Sequence, residues 1–308
     1  MAIDALIQKI NHLKAPIVVG LDPQLDFMPT FLKENIFKEH GHTPSAVAKI
    51  FYEFNKEIID NVYQIAPCVK LQIAMYEMYG PHGLDCYIKT VAYAKEKGMI
   101  VIGDIKRGDI ASTATAYSRG HIGEVTIQGQ NHKIYNSDFV TLNPYMGYDA
   151  IEPFLQDCET HNRGVFILVK TSNPNSGDIQ DIITAEGKPI YNHVGRLVNK
   201  WGRNMVGKSG FSQVAAAVGA TYSGLARELR EVMPNTLFLV PGYGAQGASA
   251  KDLAPFFTEN IQGAIINSSR NIIGAYLLEK YKQFGQENYG AAAKAATTDM
   301  IKEIRCVV

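Results

Sequence analysis

Eight short apolar runs punctuate the chain: Ile17–Leu21, Cys68–Gln72, Ile100–Asp104, Phe139–Leu142, Val165–Val169, Val214–Val218, Leu237–Val240 and Ala264–Asn267. Most are continuously apolar rather than alternating, the pattern of parallel strands covered on both faces. Between them the period changes to that of a helix. In Ala46–Ile65 the residues Val47, Ile50, Phe51, Phe54, Ile58 and Ile59 fall on one stripe, and Leu84–Lys97, Tyr222–Met233 and Ala291–Ile304 also read as helices. At the N-terminus Ile3, Leu6, Ile7, Ile10 and Leu13 predict an amphipathic helix over residues 2–14, ending before Pro16. Eight strands alternating with helices predict an α/β fold, a (β/α)8 TIM barrel. A doubly wound sheet is the alternative, and the alanine-rich run Val214–Val218 can also be read as helix.

No repeat, low-complexity tract or linker divides the chain, so residues 1–308 are expected to form a single barrel domain. Two connections are long, Ser112–Ser137 and Thr171–Gln213. Connections of that length carry function or helices of their own. The second contains a helix-like stretch, Ile190–Met205, and reads as a helical insertion at about 171–213 after the fifth strand.

Composition then removes several classes of function. With 30 basic and 30 acidic residues the formal charge is zero, which suggests neither a nucleic-acid nor an anionic-membrane partner. A charged ligand must be held by a local site. Cys68, Cys86, Cys158 and Cys306 lie far apart without metal-ligand or disulfide spacing, and His12, His82, His121 and His193 show no ligand spacing either. No apolar run approaches the ~20 residues that cross a bilayer. The first residues lack the apolar core of a signal peptide, so a cytoplasmic location is expected.

In a barrel of this type the chemistry stands where the strands end. The first strand ends in Leu21-Asp22-Pro23, the second carries Lys70, and the third ends Asp104-Ile-Lys106-Arg-Gly-Asp109-Ile. Residues two apart on a strand share a face, so Asp104 and Lys106 point the same way. An isolated charge at a barrel mouth would cost several kcal/mol. Lys70, Asp104, Lys106 and Asp109 sum to zero, so an alternating Lys–Asp–Lys–Asp chain is expected. An ordinary buried salt-bridge network is the plain alternative. Flanking carboxylates keep a lysine protonated, which suits a general acid better than a Schiff-base nucleophile.

The seventh strand runs into Val240-Pro-Gly-Tyr-Gly-Ala-Gln-Gly247, and the eighth into Asn267-Ser-Ser-Arg270-Asn followed by an apolar helical stretch. Loops after strands seven and eight commonly hold phosphate in TIM barrels. Glycines admit backbone N–H groups to an anion, Arg270 offers a fork, and Gln246 one more donor. The segment Lys170-Thr-Ser-Asn-Pro-Asn-Ser-Gly177 could read a polar heterocycle or be a plain surface loop.

Ile102-Gly-Asp104-Ile-Lys106-Arg-Gly-Asp109-Ile-Ala-Ser-Thr113 resembles the Asp-x-Lys-x-x-Asp-Ile-x-x-Thr segment of the orotidine 5′-monophosphate decarboxylase family, in its longer bacterial branch. The Asp22 strand end, the Lys70 strand, the PGYGAQG loop and the final arginine follow in that family's order. The resemblance implies conversion of orotidine 5′-monophosphate to uridine 5′-monophosphate and CO2, in de novo pyrimidine biosynthesis, without a cofactor. It assigns Asp22 to a ribose hydroxyl, and Lys70 to the bridge between the ribose and Asp104. Lys106 becomes the proton donor, and Gln246 and Arg270 the phosphate grip. Pro241 also falls among the substrate-binding positions. Ser172 would touch the pyrimidine, with Thr171 or Asn173 as alternatives because a long segment follows. Asp109, Ile110 and Thr113 would enter a neighbouring subunit's site, which implies a homodimer. Two other readings remain: a Mg2+-dependent phosphosugar decarboxylase or epimerase of the same barrel group, and a non-catalytic phosphate-binding barrel.

Overall fold

The computed structural model describes residues 1–244, 250–258 and 261–307. Among them eight parallel strands close into a barrel: β1 (Ile17–Leu21), β2 (Cys68–Gln72), β3 (Ile100–Arg107), β6 (Phe139–Leu142), β7 (Gly164–Lys170), β8 (Val214–Val218), β9 (Phe238–Pro241) and β10 (Ala264–Ser268). The remaining two strands, β4 (Val125–Ile127) and β5 (Gln130–His132), form a separate antiparallel hairpin. Closure removes the doubly wound alternative. The alanine-rich run is a strand, buried along its whole length. Its small side chains make room for neighbours, Ala215 packing in the same cluster as Phe139 and Phe166.

That cluster also settles the place of the first helix, Ala2–Leu13. Ile3, Leu6, Ile7 and Ile10 join Val18, Cys68, Ile102 and Ile265, residues near the starts of their strands. The helix therefore plugs the barrel where the strands begin and leaves the opposite mouth to the charged residues. A larger cluster lies between the strands and the outer helices, with Phe51, Phe54, Ile58, Tyr87, Phe154 and Phe256 among its members. Burying one such side chain is worth about 1.5–3 kcal/mol.

Helix limits differ from the sequence pattern for local reasons. The stripe expected over 46–65 runs Pro44–Val62, because Thr43 accepts a hydrogen bond from Ala46 N at 3.1 Å and proline takes the first turn. The first helix stops one residue early, at Lys14, which turns left-handed with φ 49°. The 190–205 stretch is α-helical only over Ile190–Gly202 and finishes as a 3-10 turn, Arg203–Met205. Two helices, Thr30–His40 and Glu152–His161, have apolar stripes too weak for the sequence to reveal. The connection 112–137 holds most of the helix Ala111–His121 and the hairpin, whose turn residues Gln128 and Gly129 both take positive φ. Gln-Gly is a weaker form of the Asn-Gly signal for such turns.

Among the described residues no helix is long and apolar enough to cross a membrane. Cys68, Cys86 and Cys158 are buried free thiols and Cys306 is exposed. Trp201 packs its ring against Tyr148 at 5.8 Å, joining the 171–213 segment to the loop after β6.

One half-buried carboxylate, paired with the buried Arg163, ties several elements together. Asp138, just before β6, accepts from Val101 N at 2.9 Å, Lys95 Nζ at 2.5 Å and Arg163 Nη1 at 2.6 Å. Breaking a buried pair by removing one partner leaves the other charge uncompensated. Asp138→Ala is expected to lower unfolding free energy by about 3–5 kcal/mol in urea titrations. A loss under about 1 kcal/mol would mean that Arg163 and Lys95 find water instead.

Candidate active site

Strand register decides which charges meet. Lys70 lies opposite Gly20 on one side and Ile102 on the other, and Gln72 lies opposite Asp104. Lys70 Nζ is 3.1 Å from Asp22 Oδ1 and 2.9 Å from Asp104 Oδ2. Lys106 Nζ is 2.5 Å from Asp104 Oδ1. The result is a ladder, Asp22–Lys70–Asp104–Lys106, with no net charge. Its two inner members are almost fully buried, and Lys106 has 45% of its side chain exposed at the open end.

Every acceptor on the ladder is spoken for. Gln72 Nε2 donates to Asp104 Oδ2 at 3.1 Å, and Thr141 Oγ1 donates to Asp104 Oδ1 at 2.8 Å. Ser269 Oγ donates to Asp22 Oδ2 at 2.7 Å. Thr141, Gln72 and Ser269 hold the ladder's carboxylates, and the sequence reading missed all three. The faint signal was a lone polar residue inside or just after an apolar strand.

Lys106 does not sit on a regular strand. The β3–β6 register shifts between Gly103 and Arg107, and Lys106 takes φ 45°. A left-handed non-glycine residue costs roughly 1–2 kcal/mol. Its amide donates to Thr141 Oγ1 at 3.0 Å, so the hydroxyl that holds Asp104 also holds this bulge. The simple two-residue alternation gave the right face for Asp104 and Lys106, but the bulge, not alternation, sets the aim of the ammonium.

Opposing effects act on the inner pair. Burial alone would push the Asp104 carboxyl up, but the ammonium groups of Lys70 and Lys106 outweigh it and hold the group well below the usual carboxylate range. Burial would pull Lys70 down, and the charges of Asp104 and Asp22 raise it instead. Both stay ionised across the physiological range.

The ladder opens into a cavity of about 880 Å³ that also meets Thr171, Ser172, Asn173, Pro241 and Asn267. Pro241 pairs in register with Asn267 at the ends of β9 and β10. Thr171 Oγ1 and Asn173 Oδ1 bond each other at 2.7 Å, whereas the Ser172 hydroxyl has no partner among the described residues. All three alternatives line the cavity, and Thr171 and Asn173 are partly engaged with each other.

Arg270 stands exposed beside Ser269, its guanidinium 3.4 Å from Gln24 Oε1 and above the Phe27 ring at 5.9 Å. The helix expected after it is a single turn, Arg270–Ile273. One turn carries little macrodipole, so an anion here would rest on the arginine fork and nearby amides. The loop after β9 begins with Gly242 at φ 104° and Gly244 at φ 71°, conformations that favour glycine. Gln246 and Gly247, at the end of the glycine-rich loop expected to hold phosphate, lie outside the described residues.

Asp109 departs from the expected Lys–Asp–Lys–Asp order. Within this chain Asp22 supplies the second carboxylate, while Asp109 sits on the turn after β3, caps its neighbour's amide (Ile110 N, 2.8 Å) and makes no ion pair among the described residues. Ile110 is 55% exposed and Thr113 half-buried.

A family model described as orotidine 5′-phosphate decarboxylase / HUMPS family matches residues 16–283. The chain belongs to this family. Among relatives named orotidine 5′-phosphate decarboxylase, one from Petrotoga mobilis is 41% identical over 306 residues, covering 99% of this chain and 98% of its own. One from Clostridium perfringens is 41% identical over 287 residues, 93% of each chain. The solved OMP decarboxylase of Leishmania donovani superposes with a TM-score of 0.73 at 25% identity, over 99% of this chain and 98% of that one.

For this member of the orotidine 5′-phosphate decarboxylase / HUMPS family the ladder has a definite linkage to stability. Asp104 is depressed, so its contribution is complete above the unfolded carboxyl value of about 3.9 and is lost as pH falls toward the folded value. Lys70 is raised, so its contribution is complete below about 10.4 and is lost only as pH rises through the higher folded value. The stability gap between the native chain and Asp104→Asn is expected to stay constant from about pH 5 to 8 and to shrink below about pH 4. Urea midpoints along that range check this; a gap unchanged down to pH 3 would mean that Asp104 is not held ionised.

Proposed function

We propose that the protein decarboxylates orotidine 5′-monophosphate to uridine 5′-monophosphate and CO2, in de novo pyrimidine biosynthesis, with Lys106 as the proton donor. The observation that carries this is the Asp22–Lys70–Asp104–Lys106 ladder ending in one accessible ammonium at a ligand-sized cavity. Membership of the family supplies the substrate class.

The chemistry follows from the charges. Breaking the bond from pyrimidine C6 to the carboxylate leaves an electron pair in an sp2 orbital with no carbonyl to delocalise it. Lys106, a cation aimed by its bulge, stabilises that pair as it forms and then gives it a proton, completing uridine monophosphate. Its exposed side lets it regain a proton from water. Asp104 stands beside the departing carboxylate. Two like charges ~4 Å apart repel by about 4 kcal/mol at an effective dielectric near 20, and the repulsion is relieved as CO2 leaves. Stabilisation of the transition state by Lys106 carries more weight than this destabilisation of the ground state.

The remaining positions fall into line behind that step. Asp22, oriented by Ser269, and Lys70 bind ribose hydroxyls; Ser172 meets the pyrimidine; Arg270, with Gln246, grips phosphate; Pro241 lies against the nucleotide. Binding energy from the phosphate end contributes to ordering the reacting end. The Mg2+-dependent reading would take Asp104 and Asp109 as ligands, and Asp104 is already neutralised by the Lys70 and Lys106 ammonium groups.

The second subunit enters through Asp109. Ile110 is exposed next to half-buried Asp109, and Tyr145 and Met146 are exposed in the loop after β6. These loops touch through Asn143 N and Arg107 O at 2.9 Å. Exposed apolar side chains on these two touching loops, with an acid that has no ion pair among the described residues, suit a twofold homodimer in which each Asp109 serves its neighbour's site.

Lys106→Ala is expected to lower turnover by at least about 10³-fold while uridine monophosphate still binds, and EDTA is expected to leave the native enzyme fully active. Loss of the orotate absorbance reports turnover. Activity in Lys106→Ala near the native level would remove the proposed acid, and loss on chelation would point to the metal-dependent alternative. Asp109→Ala is expected to be similarly inactive. Mixed with Lys106→Ala and allowed to exchange subunits, it should recover up to about a quarter of the native sites, since each hybrid dimer rebuilds one intact site. No recovery despite subunit exchange would place Asp109 in its own subunit's site.

A further inference from the structure

The end of β7 contains a buried cation that the proposed reaction does not use. Lys170 is fully buried. Its Nζ lies 2.6 Å from Asp181 Oδ1 and 3.5 Å from Ser176 Oγ, above the Tyr222 ring at 4.5 Å and the Tyr191 ring at 5.6 Å. Asp181, by contrast, has 52% of its side chain exposed. A pair of this kind is a poor device for stability, because an apolar residue of similar volume at the lysine would serve as well or better. Its value must lie in the geometry it enforces.

That geometry is a double clasp. Next to the Lys170–Asp181 pair, Gln180 Oε1 accepts from Thr171 N at 3.0 Å and Gln180 Nε2 donates to Thr171 Oγ1 at 2.7 Å. Two consecutive strand-end residues thus grip two consecutive residues at the end of the short helix Gly177–Gln180. The loop between them is closed on itself. Below it, Gly219 N donates to Lys170 O at 2.8 Å, and a Cβ at Gly219 would come within 2.8 Å of Ser172 Cβ. Ser172 is therefore pressed against bare backbone on one side and fixed by the clasp on the other, with its hydroxyl unpartnered beside the ladder's cavity.

We propose that Lys170, Gln180 and Asp181 are positioning residues for base recognition: their clasp fixes Ser172 at the depth where it meets the pyrimidine. This rests on the nucleotide reading above. It predicts a defect confined to the base, because the ribose and phosphate contacts come from β1, β2 and the ends of β9 and β10. Gln180→Leu removes the Thr171 bonds from a half-buried site, and Lys170→Met removes the ammonium while keeping an apolar stem.

The test is calorimetric titration of each variant with uridine 5′-monophosphate and with ribose 5-phosphate, which lacks the base. Each variant is expected to bind uridine monophosphate about fivefold to tenfold more weakly, as for one misplaced hydrogen bond, with ribose 5-phosphate affinity unchanged. The KM for orotidine monophosphate should rise in step. Equal weakening toward both ligands, or none toward either in variants that unfold at the native temperature, would overturn the clasp. A native enzyme that binds uridine monophosphate yet leaves the orotate absorbance untouched would instead overturn the parent reading, and the ligand comparison would still judge the clasp.

Discussion

The Lys70 ammonium is the constraint on which the site depends. It is buried at the end of a barrel strand with a carboxylate on each side, at 3.1 and 2.9 Å. The ammonium outweighs the cost of burial for Asp104, and the two carboxylates outweigh it for the ammonium. Because Asp104 is thereby fixed as an anion, its other oxygen is available to hold Lys106. The order of charges along the mouth is thus set by mutual pairing, with the two inner members buried and Lys106 the most exposed.

The rest of the architecture serves to keep that order rigid. A closed barrel gives each strand two hydrogen-bonded neighbours, so the register that places Gln72 against Asp104 cannot slip without moving every strand. The N-terminal helix fills the opposite end with aliphatic side chains, which confines polar groups to one mouth. Regularity is given up in β3, where the bulge falls at Lys106, and again at the end of β7, where the register against β8 shifts between Leu168 and Lys170. Thr141 makes both the bulge and the buried carboxylate satisfied at once.

Around this frame the ligand-facing groups differ in how they are held. Asp22 accepts from Ser269, Thr171 next to Ser172 is bonded to Gln180 at the end of β7, and Arg270 has little more than Gln24 and the face of Phe27. The gradient runs from many bonds at the proposed reacting end to few at the proposed phosphate end. That suits an enzyme which uses remote binding energy to complete its site.

Much of this was legible in the chain alone. All eight barrel strands follow from apolar runs, since a strand covered on both faces must be apolar throughout, and Asp22, Lys70, Asp104 and Lys106 stand out as charges that break those runs at their ends. Local sequence determined these because burial and period are local properties. Only the tertiary structure decided that Asp22 rather than Asp109 completes the ladder within one chain, that Thr141 and Ser269 hold its acids, and that Lys170 reaches Asp181. Those pairings depend on which strands become neighbours when the barrel closes and on where a bulge shifts the register. Both are outcomes of the whole sheet, and no short stretch of sequence contains them.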